Sequence, residues 1–151
     1  MHQFKDNLNI ITKKNSNQQN LMAFIQDKGN AKLGDSLVNF IYSIAKTIVL
    51  GKPTGMKVSD SILSEAYKTS LWYKNNLLRV SGKKSRIADS VEALILFFWI
   101  EKDSNLEILI DPLISQLDPT QLQHPREEHI SAVNSFRNLL DYLFQIYSNS
   151  F

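Results

Sequence analysis

Residues 32 to 40 read Lys32-Leu33-Gly34-Asp35-Ser36-Leu37-Val38-Asn39-Phe40, and residues 88 to 95 read Ala88-Asp89-Ser90-Val91-Glu92-Ala93-Leu94-Ile95. Each stretch sets a carboxylate into an otherwise apolar or basic run. From Asp35 to Leu50 the apolar residues Leu37, Phe40, Ile41, Ile44, Ala45 and Ile48 recur at intervals of three and four, the mark of one buried helix face. A second helix, from about Arg86 to Glu101, is apolar almost all round at its carboxyl end and belongs in a core or against a partner. Asp89 and Glu92 share a face of that helix, where two carboxylates repel unless a cation lies between them or water covers them. Hard divalent ions such as magnesium take this kind of grouping together with water and phosphate oxygens. With Asp35 contributed from another helix start, a three-carboxylate magnesium site is geometrically reasonable. On spacing alone, the simpler reading is that Asp35 and Asp89 are helix-start carboxylates answering the dipole and that Glu92 is exposed.

Outward from these two stretches the chain reads as helices throughout. Residues 1 to 20, rich in Asn, Gln and Lys, read as a polar, poorly ordered arm preceding one domain over residues 21 to 151. A short helix from Leu21 is expected to stop near Gly29-Asn30. Gly51-Lys52-Pro53-Thr54-Gly55 breaks the following helix with turn chemistry, and another begins near Ser59. Residues 73 to 84 read as a basic connection, with Ser85 capping the apolar helix. Trp72 and Tyr73, beside Leu71, are more simply core residues than base-stacking platforms. Asp111-Pro112 and Asp118-Pro119 each pair a capping carboxylate with a proline suited to the first helical turn, and the last long helix starts near Pro125. No strand-like alternation competes, so the fold is expected to be all-α.

The composition excludes several chemistries. Without cysteine there is no thiolate nucleophile and no sulfur-built zinc site, which fits a reducing cytoplasm. His2, His124 and His129 form no pair at zinc-hydrolase spacing, and His124 before Pro125 reads as a loop or cap residue. No glycine-rich phosphate loop is present. The polar start is unlike a secretory signal, and the longest apolar run, Ala93 to Ile100, falls far short of the roughly 20 residues of a spanning helix, so no membrane segment is expected. The net charge of +2 hides a gradient. Residues 1 to 90 hold fourteen lysines and arginines against six acids, whereas residues 91 to 151 hold three against nine. A basic half of this kind can face a polyanion while the total stays near neutral.

The two opening stretches resemble the metal-binding helices of the ribonuclease III family. The first resembles its Leu-Gly-Asp-(Ala/Ser) signature and the second its Asp-(Thr/Ser)-Val-Glu-Ala-Leu-Ile motif. The turn at residues 51 to 55 and the helix from Ser59 to Tyr67 look most like its small archaeal single-domain members, which lack the appended double-stranded-RNA-binding domain. The resemblance implies a helical endonuclease domain that hydrolyses phosphodiester bonds in double-stranded or structured RNA with Mg2+ (or Mn2+). It makes Asp35, Asp89 and Glu92 the catalytic metal ligands. It also implies a two-fold homodimer, with the run Ala93 to Trp99 resembling the dimer-forming helix and Leu94, Ile95 and Phe98 at the interface. RNA contacts then fall on Lys32, Lys52, Lys57, Lys83, Lys84 and Arg86, because duplex RNA is read through phosphate and 2′-hydroxyl contacts. The chain departs from the family where two further glutamates usually stand: Ala31 and Lys28 occupy those positions. This departure keeps two other readings open, a catalytically reduced RNA-binding or scaffold protein and a helical protein-interaction module without RNA.

Overall fold

The computed structural model describes residues 3–16, 21–101 and 105–150, and among these it is helical, with no strand. The order is α1 (Gln3–Ser16), α2 (Leu21–Gln26), α3 (Lys28–Leu50), α4 (Asp60–Lys68), α5 (Leu71–Lys74), α6 (Lys84–Glu101), α7 (Leu106–Ile114), a 3-10 turn (Gln121–Gln123) and α8 (Pro125–Ser150). The all-α expectation is met. Its boundaries move in four places, each for a local reason.

Residues 3–16 form a helix where composition pointed to an arm. Phe4 packs its ring 6.2 Å from that of Trp99, and the Lys5 ammonium lies 4.8 Å over the same indole, so one apolar edge and a cation–π contact hold α1 against α6. Residues 1, 2 and 17–20 of that arm lie outside the described residues. The helix carrying Asp35 starts at Lys28 rather than Asp35: Asp27 caps it by accepting the Asn30 amide at 3.0 Å. Gly29-Asn30 is therefore a helix start, not a stop. The helix carrying Asp89 starts at Lys84, ahead of Ser85. Asp111 and Pro112 sit inside α7, whose cap is Asn105, accepting from the Ile108 amide at 3.3 Å; the helix ends two residues after the proline.

The apolar helix α6 is the centre of the molecule. Ile87, Val91, Leu94, Ile95, Leu96 and Phe98 are all buried, facing α3, α4 and α2 on different sides. Leu94, Ile95 and Phe98 retain 0 to 1% of their exposure, so they are sealed in the chain's own core and cannot form a dimer interface. The sequence pattern marks burial on all sides but does not say what covers it. Trp72 is core as expected, its indole N–H donating to the Leu140 carbonyl at 2.8 Å, while Tyr73 stays exposed. Asp141 of α8 accepts the Leu71 amide at 2.8 Å and so supplies the cap that Ser70 does not give α5. His124 ends the 3-10 turn, the loop role read for it. Farther along, Glu128 of α8 accepts from the Tyr42 hydroxyl at 2.9 Å and pairs with Lys46 at 2.8 Å, tying α8 to α3. Burial and the Glu128 carboxylate raise the Tyr42 hydroxyl well above its ordinary pKa, which keeps it a donor.

Helix α3 is apolar on two sides. One face, with Val38, Ile41, Tyr42 and Ala45, is buried in the core. The other carries Leu33, Phe40 and Ile48, which are 40, 55 and 57% exposed, with Leu37 and Ile44 half-buried between them. The two faces together give α3 the length and mean hydropathy, 1.3 over its best window, of a membrane-crossing helix, although the chain has no unbroken apolar run of that size. Its core face is occupied by α6 and α7.

Candidate active site

The site is built at the crossing of α3 and α6, and Gly34 sets how close they come. A Cβ on Gly34 would stand 2.2 Å from the Glu92 carbonyl oxygen and 2.5 Å from its carbon, so only hydrogen allows the two backbones to touch. The next residue on α3 is Asp35. Glu92 is one turn beyond Asp89 on α6, and its carboxyl hydrogen-bonds the Asp35 carboxylate. Asp35 therefore lies two turns into its helix, not at the start, and its placement answers the crossing rather than the dipole.

A second device comes from residues 52 to 58, which run back along α3. Thr47 Oγ1 accepts the Thr54 amide at 3.1 Å and Ser43 Oγ accepts the Met56 amide at 3.1 Å. Asn39 Oδ1 then accepts the Val58 amide at 2.7 Å. Positions 39, 43 and 47 are one turn apart on α3, about 6 Å per step, and two extended residues rise about 6.6 Å, so the two rows keep register. The row ends at the site. Asn39 uses its other amide atom, Nδ2, to donate to Asp35 Oδ1 at 3.3 Å. Lys57, one residue before the last rung, places Nζ 3.4 Å from both Asp35 oxygens. Ser59 then caps α4, whose first residue, Asp60, adds a fourth carboxyl group, its charge acting on Asp89 and Glu92.

The electrostatics follow from this crowding. Burial, the hydrogen bond to Asp35 and the charges of Asp35, Asp89 and Asp60 push the Glu92 carboxyl up to about 9. Glu92 is 5% exposed and keeps its proton at neutral pH, donating to Asp35. That hydrogen bond, opposed by burial and helped by Lys57 and Asn39, holds Asp35 below the ordinary carboxylate range. Asp89 is more open. Burial first, and then Asp60 and Asp35, raise its pKa, with the Lys28 charge opposing.

Of the residues singled out in the sequence, Asp35 and Glu92 are in contact, and Asp89 is within electrostatic reach of Asp35. Among the described residues no three His, Asp or Glu side chains stand together as a finished metal cage. The donor set nevertheless suits a hard cation: all oxygen, clustered, and with one carboxyl protonated because nothing positive enough lies among them. Lys57 pairs with Asp35, and Lys84 donates to Ser61 Oγ at 3.2 Å. Lys83 and Arg86 line a cavity together with Asp89. Lys32 is exposed three residues before Asp35. Lys52 follows the Gly51 cap at the far end of α3, about 24 Å of helix from Asp35, and does not belong to the site. Asn39 and Asp60 are site residues that sequence reasoning passed over. Asn39 could have been found from its spacing of four from Asp35, and Asp60 as an acid after a capping serine in an acid-poor half.

Comparison with curated proteins finds no match. A family model described as Ribonuclease III matches residues 28–147, a span that takes in α3, the returning segment, α6 and nearly all of α8. The whole of the carboxylate crossing and its supports lies within that match. The chain belongs to the ribonuclease III family.

Proposed function

We propose that the chain is a divalent-metal-dependent endoribonuclease acting on double-stranded or structured RNA, with Asp35, Asp89 and Glu92 holding Mg2+ (or Mn2+). The observation that carries this reading is the Gly34 crossing, which gives up a side chain so that an aspartate and a buried glutamate from two helices share one proton. When bound, the ion supplies Lewis-acid polarisation of the phosphodiester and an acidified water. The chain's own residues prepare for it. Asn39 and Lys57 fix the Asp35 carboxylate. Glu92 must release its proton before it can ligate, so affinity for the ion rises with pH. Lys83 and Arg86, which line a cavity with Asp89, would hold phosphates of the substrate backbone.

The same reading includes a homodimer, and its interface moves from α6 to α3. The row Leu33, Leu37, Phe40, Ile44 and Ile48 is an apolar helix face whose most exposed members nothing among the described residues covers. A second copy laying its own α3 row there would cover both faces by one two-fold operation.

Lys28 and Ala31, together with the unfinished cage, favour a second reading in which the domain binds RNA without cutting it. Purified protein incubated with duplex RNA in magnesium and in EDTA, beside an Asp35→Asn, Glu92→Gln double variant, separates the two. Metal-dependent cutting that the variant loses supports the endonuclease. Salt-sensitive binding without cutting transfers the assignment to the RNA-binding reading, and no binding at low salt leaves a helical interaction module.

A further inference from the structure

Next to Asp89 the end of α2, the start of α3, the segment from Leu78 to Lys83 and the first turns of α6 line a half-open cavity of about 740 Å³. This is the size of a small-molecule site rather than of a single ion. Its walls are of two kinds. Lys28, Arg79, Lys83 and Arg86 supply four positive charges. Against them stand two acids, Asp27 and Asp89, and the Asp27 carboxylate is already engaged in accepting the Asn30 amide. The remaining wall is apolar: half-buried Met22 and Val80 present its accessible surface, while Ile25 and Leu78, each 2% exposed, add almost none. Lys28 and Ala31 of α3 both line it, so a positive charge and a methyl group stand there, neither of which repels an anion.

A ligand that satisfies both walls needs a flat, weakly polar ring and an attached anion. Inorganic phosphate would leave the apolar wall bare, and a paired base in a duplex has its faces covered by its neighbours. We propose that this cavity receives one unpaired ribonucleotide, its phosphate on Lys83 and Arg86 and its base against Met22 and Val80. The substrate class narrows accordingly to structured RNA with an unpaired nucleotide next to the cut. The identification as RNA rests on the endonuclease reading, but occupancy of the cavity requires neither metal nor cleavage.

Equilibrium dialysis of the full chain with AMP and with inorganic phosphate, both in EDTA, tests this. AMP is expected to bind saturably and at least about ten-fold more tightly than phosphate, a difference of about 1.4 kcal/mol. A Lys83→Ala, Arg86→Ala double variant, both residues exposed, weakens AMP by about ten-fold or more, and Lys52→Ala at the far end of α3 leaves it unchanged. Equal affinity for phosphate and AMP, no saturable AMP binding at millimolar concentration, or AMP binding untouched by the double variant overturns the proposal. AMP binding without RNA cleavage overturns the endonuclease reading alone, and cleavage without AMP binding overturns the cavity alone.

Discussion

Replacing Gly34 by alanine adds one methyl group, and the structure specifies where it goes. The new carbon would lie 2.2 Å from the Glu92 carbonyl oxygen and 3.1 Å from the Ala93 nitrogen. An ordinary contact there is about 3.4 Å or more, so α3 and α6 must separate by about 1 Å. No flexible side chain can yield, because every clashing atom is backbone. Overpacking of this kind costs about 1–3 kcal/mol, and alanine's better helix propensity returns about 1 kcal/mol. A net loss of up to about 2 kcal/mol corresponds to a melting temperature lower by up to about 8 °C in a chain of this size. The effect on activity should exceed the effect on stability. The same displacement parts Asp35 from Glu92, and a misplacement of about 1 Å at a reacting centre can cost about a hundred-fold in rate. The assays are thermal unfolding and initial rates of duplex-RNA cleavage, with Gly55→Ala as control because its added carbon meets Ser43 Oγ at an ordinary 3.5 Å. If Gly34→Ala matches wild type in both melting temperature and rate, the close crossing does not organise the site.

Other perturbations probe separate links. In EDTA, Glu92 binds a proton in the folded state up to about pH 9 but only below its ordinary 4.5 when unfolded, so stability should fall across that window as pH rises. The slope is up to about 1.4 kcal/mol per pH unit; urea unfolding between about pH 6 and 8 should show it in wild type and a flatter curve in Glu92→Gln, whereas parallel curves would contradict the shared proton. Glu128→Gln keeps an acceptor for Tyr42 but strands the largely buried Lys46 ammonium; a loss of about 3 kcal/mol is expected, measured as urea midpoint, and a change under about 0.5 kcal/mol would make that pair incidental. Phe40→Glu alters a 55% exposed side chain, so folding should persist while light scattering reports a change from dimer to monomer. A wild-type chain that is already monomeric defeats the α3 interface.

The helices and the two acidic motifs were legible because periodicity and residue order are local properties. Gly34 shows the limit of that. Its residue type alone does not disclose its role, and only the packing of α6 reveals that its missing side chain is what the helix needs at the seventh position of α3. The partner of Lys57 depends on three side chains of α3 holding a returning segment in register, a tertiary fact with no local signature. The role of α6 was misjudged for the related reason that an all-round apolar helix looks the same whether its own chain or a second copy surrounds it. Asp111-Pro112 carried a correct local preference for a helix start that was overridden by an earlier cap at Asn105.

The chemistry proposed for this chain depends on its clustered carboxylates taking up a divalent cation. Electron paramagnetic resonance of added Mn2+ reads this directly, because bound ion loses the sharp signal of the hydrated one. Wild type should bind Mn2+ saturably, more tightly at pH 8 than at pH 6 as Glu92 surrenders its proton, and the Asp35→Asn, Glu92→Gln variant should lose that binding. Mn2+ that stays free at every pH, or that binds the variant as well as wild type, contradicts the metal site.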